Sequence, residues 1–144
     1  MGEIVSAAGA AIVSCVALFQ ATDTAPNVKL VRTDGTSAGT VAIFNQPDYH
    51  FVAYGFTNVN GKVIFGNTSN AAGTELWATD GRASGTKLLK DIYYGSFDNG
   101  YNSSPGLSAW RSGRFEVVGS RAVFTAEDYA NGREPWASDG TRSC

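Results

Sequence analysis

The sequence predicts an all-β protein assembled from about three copies of one small antiparallel sheet. Three observations predict it. Composition comes first: the chain holds 17 Gly and 17 aromatic residues (8 Phe, 6 Tyr, 3 Trp) among 144. Aromatic and β-branched residues favour strands, and the helix former Met occurs once. Second, the apolar runs are four to six residues long and bounded by Gly, Asn and Asp, with no sustained 3.6-residue period. Third, the chain repeats itself. Residues 17–35 (ALFQATDTAPNVKLVRTDG), 63–81 (VIFGNTSNAAGTELWATDG) and 122–140 (AVFTAEDYANGREPWASDG) align without a gap.

The alignment justifies each element in turn. Residues 12–13 match 117–118 and read as a strand. That match argues against a secretory signal in the Ala-rich N-terminus, as does the lack of Lys or Arg near Met1. Residues 17–21, 63–67 and 122–126 form the next strand of each copy, with Phe19, Phe65 and Phe124 equivalent. Residues 29–33, 75–79 and 134–138 form the following one, where Val31, Trp77 and Trp136 coincide. Residues 40–44 and 86–92 supply a third type. Residues 54–59 and 115–118 supply a fourth, each ahead of a tight turn. Asn60-Gly61 is the strongest short-range hairpin signal in the chain.

Asp34, Asp80 and Asp139 mark equivalent points, 46 and 59 residues apart. Each stands in a Thr/Ser-Asp-Gly turn. Asp bonds the backbone ahead of it and Gly accepts positive φ, so the three read as turn formers. The D-x-D-x-D-G spacing of a calcium loop is absent. The repeats span about residues 12–57, 58–116 and 117–144, the last incomplete, in one repeat domain. A four-stranded sheet recurring at this period predicts a β-propeller-like blade, whose faces are buried by neighbouring blades. Propellers close with roughly four to eight blades. About three per chain therefore implies a ring completed by oligomerisation, two chains giving six.

At residues 75–86 (ELWATDGRASGT) the sequence resembles the bacterial ELWxxDGT repeat family. Glu75-Leu76-Trp77 and Asp80-Gly81 match, with Arg82 in place of Thr. Glu134, Trp136 and Asp139-Gly140-Thr141 match, with Pro135 in place of Leu. The first copy keeps Leu30 and Asp34-Gly35-Thr36, and residues 88–92 (LLKDI) look like the family's third strand. The resemblance implies a propeller-type array in a secreted or cell-surface bacterial protein, with any signal peptide absent from this chain. It implies architecture and export, not a reaction.

Composition excludes several functions. The formal charge of -2 lacks the basic footprint of nucleic-acid binding. No apolar run reaches the ~18–20 residues of a membrane span. His50 is the one histidine, and there is no phosphate-binding loop or Cys-x-x-Cys. Cys15 and Cys144 can pair or stay free, and spacing does not decide between them.

The leading functional expectation is a non-catalytic module binding a glycan or a surface partner. Tyr93, Tyr94, Tyr101 and Trp110 are the candidate platforms, because they lie outside the repeated core. The stretch 93–105 (YYGSFDNGYNSSP) has the Tyr, Asn, Ser and Gly content of adaptable polar contacts. The alternative is a glycosidase-like hydrolase drawing carboxylates from Glu75, Glu134, Asp91 or Asp128 to a central channel. Asp98 and Asn99 are weak candidate calcium ligands, and no other cofactor is expected. A further alternative is a fragment of a longer repeat protein.

Overall fold

The computed structural model describes residues 11–13, 16–22, 28–46, 53–69, 73–93, 115–128 and 130–141. They form three antiparallel meanders. The first sheet is β1 (Ala11–Val13), β2 (Val16–Thr22), β3 (Val28–Thr33) and β4 (Val41–Gln46), in that order. The second is β5 (Ala53–Val59), β6 (Lys62–Ser69), β7 (Gly73–Thr79) and β8 (Lys87–Lys90). The third holds three strands, β9 (Glu116–Val118), β10 (Arg121–Asp128) and β11 (Gly132–Ser138). None of the sheets closes on itself. Among the described residues the one helical element is a 3-10 turn, Ala83–Gly85. The all-β expectation therefore holds.

Residues that align in sequence also pair alike. Phe19 faces Val31 across its ladder, Phe65 faces Trp77, and Phe124 faces Trp136. Val13, Val59 and Val118 open the three first hairpins opposite Val16, Lys62 and Arg121. The strand expected at 54–59 opens the second sheet instead of closing the first. Its two-residue turn sets that phase, because Asn60 (φ 52) and Gly61 (φ 75) both take the positive φ of a tight hairpin. The strand expected over 86–92 is shorter. Thr86 spends its hydroxyl on the carbonyl of Arg82, and the Ile92 N–H bonds a side chain instead of a ladder partner.

The second sheet lies between the other two. Val63, Ile64 and Phe65 are all fully buried, as expected of a strand covered on both faces. Val63, Phe65 and Ala53 meet Leu18, Val28, Leu30 and Ile43 of the first sheet. Phe44 packs on Trp77 with ring centres 5.1 Å apart, and Phe56 stacks on Phe65 at 5.3 Å. On the other face Val59, Ile64, Leu76, Ala78 and Leu89 meet Ala122, Phe124 and Ala126 of the third sheet, with Phe115 against Phe124 at 5.0 Å. Burying one such aliphatic or aromatic side chain contributes about 1.5–3 kcal/mol. Polar bonds tie the second and third sheets as well. Asn60 Nδ2 donates to the Ser120 carbonyl at 2.9 Å, and Lys62 Nζ to the Gly140 carbonyl at 3.2 Å.

Candidate functional site

The acidic candidates sort by what their carboxyls already hold. In the first Asp-Gly turn, Asp34 Oδ1 accepts the Thr36 N–H at 2.9 Å and the Thr36 hydroxyl at 2.7 Å. The Thr33 hydroxyl accepts the Gly35 N–H at 3.0 Å and lies 2.6 Å from the Thr40 hydroxyl. The second turn repeats the pattern: Asp80 Oδ1 accepts the Arg82 N–H at 2.9 Å, and Thr79 Oγ1 the Gly81 N–H at 3.0 Å. In the third, Asp139 Oδ1 accepts the Thr141 N–H at 2.9 Å and Ser138 Oγ the Gly140 N–H at 3.2 Å. Bonds from the Thr36 and Thr141 hydroxyls hold the Asp34 and Asp139 carboxyls below the usual range. A Cβ on Gly39 or Gly85 would fall 1.9 or 2.0 Å from the Asp34 or Asp80 carboxylate, so each glycine makes room for its aspartate. These carboxylates serve their own turns.

Asp128 is spent in the same way. It accepts the Ala130 and Asn131 N–H groups at 3.1 and 2.6 Å and Asn131 Nδ2 at 2.9 Å. The Asn131 side-chain bond is the main cause holding its carboxyl low. Glu134 lies exposed on β11, opposite Ala126. Among the described residues no three His, Cys, Asp or Glu gather as a metal ion would need.

Glu75 differs from all of these. It is fully buried near the start of β7. Its Oε2 accepts the Ile92 N–H at 2.6 Å and its Oε1 the Tyr93 N–H at 3.3 Å. Burial pushes its carboxyl up to about 8, against the pull of those two bonds and with a further push from the Asp91 charge. The structure therefore brings together Glu75, Asp91 and the backbone of Tyr93, three of the sequence candidates. Asp91 Oδ1 is itself buried with no hydrogen-bond partner. Glu134 and Asp128 belong to the third sheet, away from this group. Tyr94, Tyr101, Trp110, Asp98 and Asn99, together with His50, Cys15 and Cys144, lie outside the described residues.

The sequence reading missed two neighbours of Glu75. Asn67 stands directly across the ladder from it, fully buried, with neither carboxamide atom hydrogen-bonded. Tyr54 lies over Gly66, where a Cβ would come 2.5 Å from its ring, and burial raises its hydroxyl pKa with a contribution from the Glu75 charge. One signal could have found Asn67. The aligned residues are Ala21 and Ala126, so the second copy alone places a carboxamide there.

Comparison with protein-family models, with curated proteins and with solved structures finds no match to this chain. Among the described residues no helix is long and apolar enough to cross a membrane.

Proposed function

We propose that this chain is a non-catalytic, blade-type repeat module, of the kind its ELWxxDGT-like motifs indicate, that displays a binding segment to a glycan or protein at an outer surface. On this reading it works as a homo-oligomer. The observation that carries the reading is the Glu75 tie. A carboxyl group sealed from solvent fastens the backbone of Ile92 and Tyr93, at the root of the Tyr-, Asn- and Ser-rich stretch 93–105. Pinning the root of a polar, aromatic segment to a packed sheet lowers the ordering cost of binding through it.

The arrangement argues against hydrolysis. Two-carboxylate glycoside cleavage needs a pair about 5–9.5 Å apart, facing an open cleft. Glu75 and the neighbouring Asp91 Oδ1 are enclosed, Asp128 is bound into its hairpin, and Glu134 stands on another sheet from Glu75. The test is a glycan array and a panel of aryl-glycosides run on one preparation. Saturable binding without turnover, lost in Tyr101→Ala or Trp110→Ala, supports the module. Turnover abolished by Glu134→Gln overturns it.

A further inference from the structure

One row of the second sheet sets three oxygen-bearing side chains next to one another. Val63 and Phe65 of β6 face the first sheet, so strand alternation turns Asn67 to the same side. Glu75 stands directly opposite Asn67 in the ladder. The pairing of Leu76 with Lys90, carried one residue on, sets Asp91 opposite Glu75, and the Asp91 charge acts on it. Cross-strand neighbours of this kind lie about 4.5–5.5 Å apart at Cβ. The row belongs to the second sheet alone. The aligned positions hold Ala21, Lys29 and Asn45 in the first copy, and Ala126 and Glu134 in the third.

The row is short of partners. Asn67 has no exposed surface, and neither its amide nitrogen nor its amide oxygen is hydrogen-bonded. Asp91 Oδ1 is buried and unbonded as well. Glu75 gives its two oxygens to the Ile92 and Tyr93 N–H groups, and each oxygen keeps a second lone pair. The charge acting on Glu75 is of its own sign, and no Lys or Arg among the described residues offsets it. Buried charges are paired or coordinate metals, and buried unsatisfied groups call for a water or an ion. A water can bond Asn67 and Asp91 but supplies no positive charge.

We infer that Asn67 Oδ1, the Glu75 carboxylate and Asp91 Oδ1 form a binding site for one calcium ion. A centre built on three acidic side chains is absent among the described residues, and here an amide oxygen takes the third place. An all-oxygen set suits a hard cation, and two carboxylates with a neutral amide balance a divalent one. Calcium accepts irregular sets of oxygens. Magnesium demands an octahedron and keeps several waters, which a row sealed between packed sheets does not offer. The ion would hold Glu75 ionised and so strengthen the bonds that fasten Ile92 and Tyr93. The site does not depend on the glycan reading, since the chain binds the metal whether or not residues 93–105 bind anything.

Calcium titrated into the full chain after treatment with EGTA tests the site by calorimetry and by thermal melting. The expected result is one ion per chain with a Kd on the order of 0.1–1 mM, the range of extracellular calcium modules, and a Tm that climbs with calcium up to about 10 mM. Terbium in place of calcium should give tryptophan-sensitised emission, because Trp77 lies two residues from Glu75 on the same face of β7. Asp91→Asn and Asn67→Ala should each weaken binding at least about tenfold by removing a charge or a donor. In EGTA, Asn67→Ala should melt no lower than the parent chain, which separates a lost ligand from a lost fold. No heat and no Tm shift up to about 10 mM calcium would leave the row to water and overturn the inference. So would binding indifferent to both variants, or a magnesium response as large as that to calcium.

Discussion

Glu75 carries a carboxyl that folding removes from water, with a folded pKa of about 8 against an ordinary 4.5. A raised folded pKa means that the neutral form is the one folding favours. The contribution to stability is whole below pH 4.5 and is lost as pH rises toward 8. Glu75→Gln keeps an oxygen to accept the Ile92 N–H and removes the titration. Urea unfolding at pH 5, 6.5 and 8 should show wild-type stability falling across that range and the variant's staying nearly level. Parallel slopes would place this carboxyl in water. The turn aspartates act oppositely. Asp34, Asp128 and Asp139 are held below 3.8, so their contribution is lost as pH falls below that value. The glycines beside them are equally specific in role. Gly39→Ala drives a methyl into the Asp34 carboxylate and should cost about 1–3 kcal/mol. Adding Asp34→Ala frees that space, so chemical denaturation should show the double variant losing less than the sum of the singles.

Most strands were legible because local pattern and repeat alignment agree on them. Phe19, Phe65 and Phe124 each fall mid-strand, and a gapless alignment carries the ladder register from one copy to the next. The irregularities were not legible. The register slips between Leu30 and Val31, and again between Leu76 and Trp77, where β3 and β7 meet β4 and β8. Apolar runs locate strands but do not say how two of them pair. Tyr54 and Thr57 flank another slip, where Gly55 takes φ 68 and Phe56 packs into the core shared by the first and second sheets. The Glu75 tie was hidden for a related reason: its partners are backbone N–H groups 17 and 18 residues away, which no side-chain pattern encodes. Asn67 shows where strand pattern and burial part company. Its position reads correctly as strand, yet its amide ends up buried and unbonded. Leaving such a group unpaired costs about 1–3 kcal/mol. Ala occupies the aligned positions in both other sheets, so Asn67→Ala should be neutral or stabilising in urea melts. A loss of about 2 kcal/mol or more would show that the carboxamide has a partner in solution.

Across the whole molecule, stability is graded by how many faces each sheet has covered. The second sheet is packed on both sides, and Val63, Ile64 and Phe65 of β6 have no exposed surface. The third sheet is packed on one side, and its β11 is mostly exposed where the aligned β7 is mostly buried. The two strand pairs share a register, but β7 is also bonded to β8 whereas β11 stands at the edge of its sheet, so packing and edge position both favour the β6–β7 pair. Native-state hydrogen exchange should find the β6–β7 amides slowest and the β10–β11 amides faster. Equal protection of the two pairs would mean that the third sheet is as well packed in solution as the second.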